Sequence, residues 1–213
     1  MHGYFRGVFA ELRRNPGDDI VSALLTSREG GSLSDEELFW LCLMILVAGN
    51  KTTTILIGML LLALAEEPEQ HRRLRADPEL INGAIEEVVR WGSPVQQLYR
   101  TVVRDYTLGS TTIPAGSRVL LMYGAANRDP RKFADPDVFD VSRASTDHVG
   151  FGSGIHHCLG ARLARMEVRI VLEELLPRVQ RIHVVRRSAG ATPRRCTGRS
   201  DCPCNWRPRT VLN

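Results

Sequence analysis

The chain has 213 residues, is 43% hydrophobic and carries a formal net charge of +4, which suits one domain with a real core or part of a larger one. The charge does not mark a nucleic-acid face. Seven arginines but only one acid, Asp201, follow position 185, so the rest of the chain is slightly acidic, and there is no aromatic interleaving of the kind that stacks bases.

The first predicted element is an amphipathic helix over Tyr4–Arg14, stopped by Asn15-Pro16-Gly17. A second covers Asp19–Arg28 and ends at Gly30-Gly31. Ser34 ahead of Asp35-Glu36-Glu37 is a helix N-cap followed by first-turn acids. The helix it starts continues to about Glu66, before Pro68, and at 1.5 Å per residue is about 45 Å long. Within it, Leu38–Ala65 is apolar enough to suggest a membrane span. Lys51 falls at its centre, where a charge costs roughly 2.5–3.5 kcal/mol in a bilayer. A helix buried in protein, with a polar interruption at a site, is the expectation, and no membrane span is predicted.

Helices follow over Glu69–Ala76 and Leu80–Trp91. The texture then changes to short β-like runs at Gln97–Val103, Tyr106–Leu108 and Arg118–Tyr123, with a turn at Ile113–Gly116. Asn127–Asp147 reads as loop, Phe151–Gly160 as a glycine-rich loop, Leu159–Leu176 as a periodic helix and Arg181–Val185 as a strand. The fold class is mainly α with a small β portion, without internal repeats or an interdomain linker. The N-terminus lacks a signal-peptide core. The 5 cysteines do not form a disulfide framework, which points to a reducing, cytoplasmic setting.

The chemistry concentrates in Phe151-Gly152-Ser153-Gly154-Ile155-His156-His157-Cys158-Leu159-Gly160. A cysteine just before a helix lies at the positive end of the macrodipole, which favours thiolate. Gly152, Gly154 and Gly160 let the backbone approach something flat and large. His156 can donate a hydrogen bond to a carboxylate. A thiolate loop with this clearance suits a metal macrocycle, and thiolate ligation promotes O–O cleavage. The competing interpretation is a buried structural cysteine in a turn.

Phe151, Gly154, His156, Cys158 and Gly160 match the pattern Phe-x-x-Gly-x-His-x-Cys-x-Gly, and here the chain resembles the cytochromes P-450. The resemblance runs from Leu24 to Val185 and implies haem b with Cys158 as axial ligand, with Phe151 and Gly152 in the same cofactor-binding loop. It assigns Glu87-Val88-Val89-Arg90 and Arg143 to a structural triad. Read alone, Glu87 and Arg90 are an i, i+3 pair of the kind that is usually solvated. It also places Ala48, Gly49 and Thr52 at an O2 groove in the long helix, with the Thr52 hydroxyl assisting proton delivery. Lys51 stands where the family keeps an acid, exchanging an acceptor for a donor. Arg100, in Gln97-Leu98-Tyr99-Arg100-Thr101, matches a propionate-binding arginine; an exposed strand arginine is the alternative.

The resemblance implies a soluble bacterial-type monooxygenase that inserts one oxygen atom from O2 into a small organic substrate. Its electrons would come from a ferredoxin or a flavoprotein reductase. Two other functions stay open: a truncated remnant with little or no catalysis, and a cofactor-free helical interaction domain. Residues 1–187 are assigned to the C-terminal part of the family domain, leaving large apolar surface exposed. Residues 188–213, rich in Arg, Pro and Cys, read as a disordered tail that could be an out-of-frame ending. Cys196, Cys202 and Cys204 in that tail fit a zinc site poorly.

Overall fold

The computed structural model describes residues 1–26, 33–143, 145–184 and 210–212. The chain divides into two compact units, 1–51 and 52–213, and the boundary falls inside one continuous helix. No linker composition marks that point.

The first unit holds α1 (His2–Arg14), α2 (Ile20–Thr26) and the beginning of α3 (Asp35–Glu66). Its core is Phe9, Leu38, Phe39 and Cys42. Asp19 caps α2, its carboxylate accepting from the Ser22 backbone N–H at 3.0 Å and from the Ser22 hydroxyl at 2.7 Å. Those bonds hold the Asp19 carboxyl below its ordinary range. At the start of α3, Ser34 Oγ accepts from Glu37 N–H at 3.2 Å while the Glu37 carboxylate accepts from Ser34 N–H at 2.9 Å. This reciprocal capping box satisfies donors that a helix start otherwise leaves unpaired.

The second unit continues α3 and adds α4 (Pro68–Ala76), a 3₁₀ turn (Pro78–Leu80) and α5 (Ile81–Gly92). β1 (Leu98–Thr101), β2 (Tyr106–Leu108), β3 (Thr111–Ile113), β4 (Arg118–Leu121) and α6 (Tyr123–Ala126) follow. After a long irregular stretch come a 3₁₀ turn (Gly154–His156), α7 (Ala161–Leu175), β5 (Ile182–Val184) and β6 (Thr210–Leu212). The strands form three antiparallel pairs, β1–β4, β2–β3 and β5–β6. Leu56, Leu60 and Leu64 of α3 pack with Ile85, Val88 and Val89 of α5 and Val168 and Leu172 of α7. Each such side chain contributes about 1.5–3 kcal/mol of burial. In α5, every residue from Gly83 to Arg90 is buried, so the helix is enclosed on all faces.

Several expectations need adjustment. Thr111–Ile113 is a strand, because Gly109, at φ 61°, heads a two-residue connection from β2. The turn at Pro114–Gly116 follows it. β4 stops at Leu121 and a short helix replaces its expected end at Tyr123. The long helix was expected to be buried, yet only 17% of its most apolar 18-residue window is buried, with Trp40, Met44, Leu46 and Val47 exposed. By length and composition alone, this helix could cross a membrane. Gly30-Gly31, Cys196, Cys202 and Cys204 lie outside the described residues. Within the expected tail, Thr210–Leu212 forms β6.

Candidate functional site

α5 carries adjacent acids that point to different sides, because successive helix positions are turned by about 100°. Glu87 faces the irregular stretch. Its carboxylate accepts from Arg90 Nε at 2.7 Å, from Arg90 Nη2 at 2.8 Å and from Arg143 Nε at 3.2 Å. The Asp140 N–H adds a fourth bond at 3.0 Å. Arg90 is 0% exposed and Glu87 1%. Arg90 also donates to the carbonyls of Asn127 and Pro136, both at 2.8 Å, and of Val138 at 3.2 Å. The three charged residues grouped by the resemblance are thus together. They tie α5 to the 127–143 segment, and the pair is buried rather than solvated.

The irregular stretch feeds into the cysteine loop through Asn127, which is fully buried. Its side-chain carbonyl accepts from Val149 N–H at 2.8 Å and its amide donates to Ser93 Oγ at 2.9 Å. Gly150 follows. A Cβ there would lie 2.5 Å from Val89 Cγ1 and 2.9 Å from the Val89 carbonyl oxygen, so α5 and the loop meet closely enough to require glycine. Gly152 and Gly154 adopt φ of 74° and 63°, which most other residues avoid. These turns lead to Cys158, whose N–H donates to the Phe151 carbonyl at 2.8 Å.

Cys158 is exposed, with Ile155 and Leu159 exposed beside it at 97% and 84%. A Cβ on Gly154 or Gly160 would meet nothing within 4 Å. An accessible thiol, flanked by apolar side chains and open glycines, fits a flat apolar macrocycle needing one sulfur ligand. His156 is exposed in the 3₁₀ turn before the cysteine. Gly160 caps α7.

Glu86 faces the loop and α7. Its carboxylate accepts from Arg165 Nε at 2.6 Å and Nη2 at 2.9 Å, and lies 3.1 Å from His148 Nε2. Burial would raise the Glu86 carboxyl, but the bonds from Arg165 and His148 outweigh it and hold it at about 2. The Arg165 guanidinium lies 4.3 Å from the Phe151 ring centroid. Glu86 keeps the Arg165 charge firmly in place, and the field of Cys158 acts in the same direction. Sequence reasoning missed Glu86, His148, Arg165, Asn127 and Gly150. Only Gly150, directly ahead of Phe151, left a local signal.

Arg100 is half-buried on β1, opposite Val119, and donates to the Tyr99 carbonyl at 3.0 Å. Thr52 is half-buried in α3, while Ala48, Gly49 and Lys51 are exposed. Ala48 and Gly49 belong to the first unit, and Thr52 to the second with Cys158 and Arg100.

A family profile described as Cytochrome P450 matches residues 8–181. The chain belongs to the cytochrome P450 family. This P450 chain is 49% identical over 166 residues to a beta-dihydromenaquinone-9 omega-hydroxylase of Mycobacterium tuberculosis (strain H37Rv), covering 78% of the chain and 34% of that relative. It is 41% identical over 181 residues to the biotin biosynthesis cytochrome P450 of Bacillus subtilis (strain 168), covering 85% of the chain and 46% of that protein. Among solved structures, CYP109E1 from Bacillus megaterium, in complex with corticosterone, superimposes with a TM-score of 0.82 at 43% identity. That match covers 86% of this chain and 50% of CYP109E1. The P450 chain therefore holds part of the family fold and spans a third to a half of the length of these relatives.

Proposed function

We propose that this chain is the haem-ligand portion of a monooxygenase, with the Cys158 thiolate as axial ligand of haem b. The accessible Cys158 thiol, presented by a loop fixed at Phe151 and flanked by Ile155 and Leu159, carries the reading. When bound, the haem would supply the activation of O2 from which one oxygen atom enters the substrate. Arg100 would hold a propionate through its guanidinium, and His156 would orient the other carboxylate by donating a hydrogen bond. Phe151, Gly152 and Gly160 would give the ring clearance. Ala48 and Gly49 would leave room beside the Thr52 hydroxyl, which would hold and pass a proton. Glu87, Arg90 and Arg143 would hold the protein frame without taking part in chemistry. Electrons would come from a ferredoxin or a flavoprotein reductase, and the substrate would be a small organic molecule. A soluble, cytoplasmic location fits Lys51 at the middle of the apolar run.

The test is reconstitution. Expressed with haem and reduced under carbon monoxide, the chain should give the red-shifted Soret band typical of thiolate ligation, and Cys158→Ala should lose it. No such band in the parent chain would defeat the reading.

Lys51 supports a second reading, a chain that binds haem and turns over poorly. An ammonium group only donates, so it cannot receive the proton an acid would relay. On this reading Lys51→Asp raises product formed per O2 consumed, and an unchanged ratio would count against it.

A further inference from the structure

We propose that Glu86 is a positioning residue that, by gripping Arg165 and His148 together, fixes the start of the cysteine loop and so sets where Cys158 is held. From Ser153 to Gly160 every residue of the loop is exposed, so packing does little to hold its far end. Beyond its own backbone turns and its junction with α7, its order comes from its base. There Phe151 is caught between two groups, the Arg165 guanidinium 4.3 Å from its ring centroid and the His148 ring at 5.9 Å. Glu86 bonds to both of those groups, with two bonds to Arg165 of 2.6 and 2.9 Å and one contact to His148 of 3.1 Å. The His148 ring also accepts, through Nδ1, from the Gly150 N–H at 3.2 Å. Phe151 in turn accepts the Cys158 N–H at 2.8 Å.

The result is a relay from a nearly buried carboxylate on α5, through a side chain of α7 and one at the loop's entry, to the cysteine. A bidentate arginine–carboxylate contact fixes a plane as well as a distance. That plane sets the guanidinium over the Phe151 ring. Charge alone, as in a lysine, would not set it. That the held sulfur is an iron ligand rests on the function proposed above; the fixing of the loop does not.

The test is amide hydrogen exchange on the full chain without haem, comparing the parent with Glu86→Gln, Arg165→Lys and the exposed-pair control Asp129→Asn. Glu86→Gln should speed exchange at Gly150, Gly152 and Cys158 by about tenfold, with interior amides of α5 and α7 changing by less than about threefold. Arg165→Lys, the milder variant, should move the same amides in the same direction, and Asp129→Asn should move none. Loop exchange unchanged in both clamp variants, or rising by the same factor in α5 and α7, would overturn the proposal. In haem-loaded protein, Glu86→Gln should lower the share of the thiolate-type carbon monoxide band, and an unaltered share would also overturn it. Should the parent hold no haem, the exchange measurement still decides the clamp, and only the function proposed above falls.

Discussion

Replacing Glu87 by alanine removes the carboxylate that Arg90 faces inside the protein. Arg90 is fully buried, with two of its five hydrogen bonds on Glu87. Its other three bonds end on the carbonyls of Asn127, Pro136 and Val138, which cannot neutralise its charge. Breaking a buried ion pair from one side costs about 3–5 kcal/mol, because the remaining charge stays desolvated. The loss of the acceptor for Asp140 N–H adds about 1 kcal/mol. A total of about 4–6 kcal/mol is a large share of the roughly 5–15 kcal/mol that holds a domain folded. Guanidinium unfolding followed by circular dichroism should show the midpoint falling sharply with an unchanged slope. Arg90→Met should also destabilise, since it takes their donor from the buried Asn127 carbonyl and the half-buried Pro136 carbonyl. The double variant should lose less than the sum of the two by about 2 kcal/mol, because the desolvated charge is gone. A loss below about 1 kcal/mol in Glu87→Ala, or strict additivity in the double variant, would refute the reasoning.

Three further outcomes can be measured. Glu86, held at about 2 against an ordinary 4.5, stabilises the fold fully above its unfolded value. That contribution fades as pH falls from about 4.5 towards 2, so the unfolding free energies of the parent and Glu86→Gln should converge over that range. Gly150→Ala should cost about 1–3 kcal/mol, read as a lowered melting temperature, since its Cβ would press on the Val89 backbone. The exposed Trp40, Met44, Leu46 and Val47 form an apolar face on α3, so sedimentation should show concentration-dependent self-association. A monodisperse monomer at tens of micromolar would contradict that.

What the sequence alone determined is local. Ser34 and the acids after it announced the start of α3, Pro68 marked its end, and the periodicity of Leu159–Leu176 located α7 to within two residues. The cysteine loop was legible because its glycines, histidine and cysteine stand within ten consecutive positions. The β2–β3 connection was legible in principle, since Gly109 heads its turn, yet the Pro114–Gly116 signal beside it is louder. The tertiary structure decided the rest. The resemblance grouped Glu87 with Arg90 and Arg143, but nothing within a helical turn says that the adjacent Glu86, identical in type, would meet Arg165. Those partners lie 56 and 79 residues away, and helix and turn signals act over about four residues. Burial followed the same rule. The apolar pattern of α3 and α5 announced a need for partners, but which faces received them depended on what packs alongside. In α5 that enclosed even Glu87 and Arg90, and in α3 it left much of the helix in contact with solvent.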